Sequence, residues 1–355
     1  MTHHPLLILD KTRCKNNISR IANKAKQHKL NFRPHFKTHQ SIAIGRWFRE
    51  AGVTGITVSS VDMAKYFVQD NWDDLTIAFP FYKGMVPGLQ DLQKKASLRL
   101  FINNEDDLSL LNKELEKQFK VYIEIDAGYG RSGIPVSRKG EIESLIQSIE
   151  EGQLSEFHGF YIHDGGTYKA RSKSEIKEKV KNSITALREL KQLYPSAKTS
   201  LGDTPSASVL DDFEGIDEIT PGNLVFYDWM QVQIGSCSPD DVAVYVKVPV
   251  SQAIRDNKAI VHGGAVHFSK DYIEHDGSKT YGQAFKFKDN KISPIKGVTL
   301  TALSQEHGTL SGFDSALTDE ENFINILPIH SCLTVNLFDC YHTTDGEIIQ
   351  KRILS

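Results

Sequence analysis

Leu75-Thr76-Ile77-Ala78-Phe79, Leu98-Arg99-Leu100-Phe101-Ile102 and Val121-Tyr122-Ile123-Glu124-Ile125 are three short apolar runs that begin about 23 residues apart. Each has the length of a strand, and the interval leaves room for one helix and its loops, so each reads as a βα unit. The same beat extends in both directions. Upstream lie Leu30-Asn31-Phe32-Arg33 and Gly55-Ile56-Thr57-Val58; downstream lie Phe157 to Ile162, Lys198 to Leu201 and Ile216 to Ile219. Helical patterns separate them, such as Ile18, Ile21, Ala22 and Ala25 on one face, and the stretch Glu175 to Leu193. Eight alternating units between residues 10 and 228 predict a (β/α)8 barrel, although a doubly wound open sheet gives similar local patterns.

After Asp228 the texture changes. Val242 to Val250, Ala259 to Val261, Val298 to Leu303 and Leu333 to Leu337 read as strands, and Asp345-Gly346 is a hairpin signal. Residues 229–355 are therefore expected to form a mainly-β domain. A chain of 355 residues suits this division into a large and a smaller domain.

Charge and targeting signals narrow the function. The 42 basic and 45 acidic residues nearly cancel, with no basic stripe, which argues against nucleic-acid and membrane-surface partners. The run Leu6 to Leu9 is too short for a signal sequence, and no stretch approaches the roughly 18 apolar residues of a membrane span. Four scattered cysteines, Cys14, Cys237, Cys332 and Cys340, do not make a disulfide framework. The expectation is a cytoplasmic protein whose partner is a small molecule or a second copy.

A barrel places its chemistry just after the strands. After the first comes Arg33-Pro34-His35-Phe36-Lys37-Thr38-His39, where a lysine among cations and out of water acquires the low pKa that Schiff-base chemistry needs. A solvated surface lysine is the plainer reading. After the fifth stands Asp126 to Gly133, glycine-rich with Arg131, and after the sixth His163 to Tyr168; either can be an ordinary turn. The last two loops, Gly202-Asp203-Thr204-Pro205-Ser206 and Thr220-Pro221-Gly222-Asn223, combine glycines with hydroxyls where barrels bind phosphate. Asp203 would repel a phosphate and is expected to point away. Further on, Ile329 to Val335 reads as a strand with His330 and Cys332 on one face, a pair able to chelate a zinc-like ion, or else a core cysteine beside a satisfied histidine.

Together these stretches, with Phe226-Tyr227-Asp228, Gln305-Glu306-His307-Gly308 and Pro328 to Asn336, resemble the fold-type III pyridoxal-phosphate enzymes of the D-serine dehydratase and D-threonine aldolase group, relatives of alanine racemase. The resemblance implies that Lys37 carries pyridoxal 5'-phosphate and is the catalytic residue. It implies that Tyr161 and Tyr168 contact the cofactor, that Thr204, Gly222 and Asn223 hold its phosphate, and that Arg131 lies near its ring. His330 and Cys332 would bind a divalent metal, expected to be Zn2+. It further implies that a first strand at about Pro5 to Leu9 joins the β-domain and that the chain forms a homodimer. Gln40, where relatives commonly have a second lysine, and Asp203 depart from the pattern.

The activity so implied is elimination from a D-3-hydroxy amino acid, D-serine giving pyruvate and ammonia. Retro-aldol cleavage is the nearest alternative, since the aldolase branch more often shows His-x-Asp where this chain has His-x-Cys. An amino-acid racemase and a non-catalytic cofactor carrier are more distant alternatives.

Overall fold

Each of the eight runs is a strand: Asn31–Phe32, Ile56–Val58, Asp74–Pro80, Ser97–Phe101, Phe119–Asp126, Ser155–His163, Lys198–Gly202 and Glu218–Ile219. All neighbouring pairs are parallel. The order runs from the first strand through the eighth, seventh and sixth to the second, and a parallel bridge from His35 to Thr57 joins the two ends. Phe36 N–H donates to Thr57 O at 2.8 Å and Thr57 N–H to Pro34 O at 3.0 Å. The ends meet, so the sheet is a barrel and not an open doubly wound sheet.

This computed structural model describes residues 4–275 and 277–352. Residues 20–222 form one compact unit, and residues up to 19 with those from 223 onward form the other.

Local chemistry sets the barrel helices. Ser60, Asn104 and Ser172 each cap a helix, their side chains accepting from the N–H groups of Met63, Asp107 and Glu175. Glu105, Asp106 and Asp107 add negative charge at the positive end of the second of these. The long helix Lys173–Leu193 buries Ile176, Val180, Leu187 and Leu190 on one face, as its period requires.

The strands enclose a charged cluster around Arg33. Arg33, 2% exposed, donates from Nε to Glu218 at 3.0 Å and from Nη2 to Asp74 at 2.6 Å. Glu218 also accepts from Tyr122 Oη at 3.0 Å and Ser200 Oγ at 2.9 Å, while Arg99 pairs with Asp74. A Cβ at Gly55 would lie 2.4 Å from Arg33 Nη1, so that position admits only glycine beside this guanidinium.

In the second unit six strands close an antiparallel ring. Lys258–His262 pairs with His307–Ser311, and the ring continues through Lys291–Leu303, Gly282–Lys288, Phe323–Pro328 and Val244–Ile254, which returns to Lys258–His262. Leu6–Leu9 adds to Val244–Ile254 with Leu6 opposite Lys247, and then pairs with Cys340–Thr343. Asp345-Gly346 turns the hairpin from that strand to Ile348–Gln350, Gly346 taking φ +90°. None of the four cysteines is in a disulfide.

One element differs from its reading. Leu333 to Leu337 is not a strand: Phe323–Pro328 ends the ladder, His330 is extended, and Ser331–Val335 is a short helix. Tertiary contacts decide this against local propensity. Asp228 accepts from Ser331 N–H at 3.0 Å at the helix start, and Lys351 Nζ donates to the Val335 and Phe338 carbonyls at its end. Leu333 and Leu337, which strand alternation would set on one face, are 43% and 41% exposed.

Candidate active site

Lys37 follows the first barrel strand and stands exposed between the buried Phe36 and Thr38. Its backbone is held: Lys37 N–H donates to His35 Nδ1 at 3.3 Å, and His35 N–H donates to Pro221 O at 3.1 Å. Burial pushes the His35 imidazole well below its usual range, and the charges of Lys37, His163 and Arg131 push the same way. His163 is lowered to about 3 by burial and then by Arg131 and Lys37. Lys37, Arg131, His35 and His163 thus share one electrostatic neighbourhood in which the imidazoles stay neutral. His39 pushes His35 weakly in the same direction, while its own depression to about 3 comes from burial. That ring is fully buried among Phe36, Phe48 and Phe67, with centroids 4.3, 5.6 and 5.8 Å away.

Arg131 lies on the loop after the fifth strand, where Asp126 Oδ1 accepts from the N–H groups of Gly128 and Gly130. Its guanidinium is 3.5 Å from Glu124 Oε1 and half exposed. Tyr161 is buried, its hydroxyl accepting from Thr220 Oγ1 at 3.4 Å, and burial raises its pKa. Tyr168 Oη accepts from Thr204 N–H at 3.3 Å, which ties the sixth loop to the seventh.

The seventh loop offers two buried hydroxyls, Thr204 Oγ1 and Ser206 Oγ, that find no hydrogen-bond partner within 3.5 Å among the described residues. Such groups are costly to bury unsatisfied, so they mark a place for a polar ligand. Asp203 turns into the protein, accepting from Ser206 N–H at 2.6 Å and Thr167 Oγ1 at 3.0 Å. Burial lifts its carboxyl to about 7, against those hydrogen bonds, which moderates its charge beside an anion. Gly222 is also constrained by its protein neighbours. A Cβ there would sit 2.8 Å from His35 O and 3.1 Å from Thr38 Oγ1, so the loop packs against the segment that carries Lys37.

The second cluster belongs to the β unit. His330 Nδ1 pairs with Asp271 Oδ2 at 3.0 Å. Burial pulls the His330 pKa down, but the bond to Asp271, the bond and charge of Cys332, and Asp228 together raise it to about 11. His330 and Cys332 are therefore adjacent, although helix geometry and not strand alternation brings them together. Asn223 joins them. Its Nδ2 donates to Asp228 Oδ2 at 2.6 Å and Ser331 Oγ at 2.9 Å and lies 3.7 Å from Cys332 Sγ. The Asn223 amide nitrogen is thus bonded beside the His330 and Cys332 cluster. Tyr227, buried at φ 49°, sets the backbone into Asp228.

Comparison with known proteins then decides the kinship. The family model described as "Alanine racemase, N-terminal domain" matches residues 9–228, and that described as "Putative serine dehydratase domain" matches 243–344. The chain belongs to the alanine racemase N-terminal domain family. It is 28% identical to D-serine dehydratase of Dictyostelium discoideum over 98% of this chain and 94% of that one. It is 26% identical to D-threo-3-hydroxyaspartate dehydratase of Delftia sp. (strain HT23), over 97% and 95%. A solved cysteine-to-alanine mutant of D-threo-3-hydroxyaspartate dehydratase in the metal-free form superposes with TM-score 0.89 at 24% identity, covering 99% and 98%.

The cofactor of this group of fold-type III enzymes is pyridoxal phosphate, and the barrel residues fit it. Thr204 and Ser206 supply unsatisfied donors of the kind a phosphate takes, Lys37 is an accessible amine, and Arg131 brings positive charge. Imidazole and thiolate side by side fit a borderline metal, with Asp271 holding Nδ1 in the manner of a carboxylate behind a metal-bound histidine. Sequence reading missed Asp271 and the part of Asp228 in organising the short helix. Asp228 lay inside a quoted motif; Asp271 sits in an irregular segment with no periodic signal.

Proposed function

We propose that this chain is a pyridoxal-phosphate and metal-dependent lyase that eliminates from D-3-hydroxy amino acids, converting D-serine to pyruvate and ammonia. The observation that carries the reading is the His330–Cys332 pair buttressed by Asp271, because a racemase or a cofactor carrier has no use for a metal at a leaving hydroxyl. The metal-free form recorded for the solved relative supports a metal in the group.

When bound, the cofactor draws electrons away from Cα and so acidifies its hydrogen. A metal ion on His330 and Cys332 supplies a Lewis acid for the β-hydroxyl. The chain's residues do the rest. Lys37 Nζ would hold the cofactor and serve as the base for the α-proton. Thr204 and Ser206, with Gly222 and Asn223, would hold the phosphate, Tyr161 and Tyr168 would contact the cofactor, and Arg131 would lie near its ring. Loss of the α-proton and the β-hydroxide releases one water, and hydrolysis of the resulting enamine consumes one, so the net products are pyruvate and ammonia. A homodimer in the cytoplasm is part of the same reading, and light scattering tests its mass.

Incubation with D-serine, D-threonine and D-threo-3-hydroxyaspartate decides the chemistry. Keto acid and ammonia in equal amounts are expected. Glycine with acetaldehyde from D-threonine would make the enzyme an aldolase, the L-isomer alone would make it a racemase, and no product from any of the three would leave a carrier.

A further inference from the structure

Apart from the His330 and Cys332 pair, the β unit gathers His262, His267 and Glu306, each able to place one ligand atom within 4.8 Å of the others. Three separately anchored positions supply them. His262 ends the strand Lys258–His262, His267 lies in the short helix Ala265–Phe268, and Glu306 precedes the strand His307–Ser311.

Backbone bonds fix these segments to one another. Gly263 N–H donates to Glu306 O at 2.9 Å, Ala265 N–H to Ser304 O at 2.8 Å and Val266 N–H to Gln305 O at 3.2 Å. A Cβ at Gly264 would lie 2.3 Å from Gln305 O, so a glycine is needed for the close approach that brings His267 to Glu306.

The spacing suits an ion. His262 Nε2 and Glu306 Oε2 are 3.4 Å apart, and a tetrahedron with metal bonds of about 2.1 Å has edges of about 3.4 Å. The His262 and His267 rings meet edge to face with centroids 5.4 Å apart. Among the described residues His267 Nδ1 is buried without a hydrogen-bond partner, a state that a ligand on this ring would relieve.

We propose that His262, His267 and Glu306 form a second metal site, distinct from the His330 and Cys332 pair, that takes a borderline divalent ion such as Zn2+. Two imidazoles and a carboxylate favour Zn2+, Co2+ or Ni2+ over Mg2+, and three protein ligands leave one position to water. The bound ion ties Gly263 to Phe268 down at both ends, just before the irregular segment that delivers Asp271 to His330.

Metal stoichiometry on the cofactor-loaded enzyme tests this. After dialysis against chelator and equilibration with Zn2+, atomic emission is expected to find two ions per chain in the wild type and one in the double variant His262→Ala, His267→Ala. Cys332→Ala is expected to retain one ion, and with Co2+ that ion should lack the thiolate charge-transfer absorption that the wild type shows. Glu306→Gln, which preserves the fold because only the Glu306 carbonyl is used in the backbone bond, is expected to loosen this ion at least tenfold. Unchanged zinc content in the double variant together with unchanged affinity in Glu306→Gln would overturn the proposal. A wild type holding one ion that the double variant loses, with Cys332→Ala unaffected, would support it while removing the metal from His330 and Cys332.

Discussion

Lys37 and Cys332 carry separate parts of the proposed reaction, so changes at the two residues are expected to have different signatures. Borohydride reduction of the yellow enzyme should attach the cofactor irreversibly to Lys37, and peptide mapping to Lys65 or Lys83 would refute the assignment. Cys332→Ala, or a chelator, should abolish keto-acid formation while leaving the cofactor absorbance in place, since none of Lys37, Thr204 and Ser206 has a role in metal binding. Full turnover by metal-free protein would end the Lewis-acid role. Asp271 acts through another residue, as a positioning group that holds His330 by Nδ1. Asp271→Asn should lower metal affinity on the order of 10–100-fold. Added Zn2+ should restore turnover there but not in Cys332→Ala, a distinction that a purely packing role for Asp271 would not produce.

At the scale of elements, the phosphate loop is the sharpest test. Thr204→Val with Ser206→Ala keeps the volume of Thr204 and removes both orphan hydroxyls. Each hydrogen bond to a charged group is worth about 1.5–3 kcal/mol, so cofactor retention should weaken by at least on the order of tenfold, read by dialysis and absorbance. Gly222→Val is the poorer probe, because its side chain would collide with His35 O whether or not a phosphate is bound. These loops also show what the sequence could reveal. All eight barrel strands were legible: central ones such as Asp74–Pro80 and Phe119–Asp126 are largely apolar runs, the signal of parallel strands buried on both faces, while the more polar Lys198–Gly202 and Glu218–Ile219 were placed by the alternation of units. The short helix Ser331–Val335 was not, since its cause is Asp228 and Lys351, roughly 100 and 20 positions away in the chain. Within the recognised motif around Lys37, moreover, a lone sequence does not separate chemistry from packing. Arg33 is the barrel's buried ion pair and His39 an aromatic-core residue, while Lys37 alone of that stretch is exposed.

For the whole molecule, the barrel's histidines predict the response to acid. Burial depresses His39 and His158 to about 3, His158 further by Arg99, and His35 and His163 are also lowered. In the unfolded chain each takes a proton near 6.5. Above that pH both states are neutral at these rings and the groups contribute nothing to the pH dependence. As pH falls from about 6.5 toward 3 the unfolded chain binds protons that the folded barrel refuses, so stability declines through that window. Each fully depressed histidine adds up to about 1.4 kcal/mol per pH unit once the unfolded form is protonated. Carboxylates held low by ion pairs, such as Asp70 between Arg46 and Arg49, act only at lower pH, below the usual carboxylate range. His39 is the cleanest reporter, because it is fully buried and its depression comes from burial and not from a neighbouring charge. His39→Gln keeps an acceptor for the Ser41 N–H that now donates to Nδ1 at 3.1 Å. The urea midpoint of the wild type, followed by tryptophan fluorescence, should be level from pH 8 to 7 and fall between 6.5 and 5. In His39→Gln the baseline stability should be lower and the fall shallower by about one proton. An equal slope in the two proteins would mean that His39 is protonated in the folded barrel, and that the ring stacked 5.6 Å from Phe48 is not kept neutral by its burial.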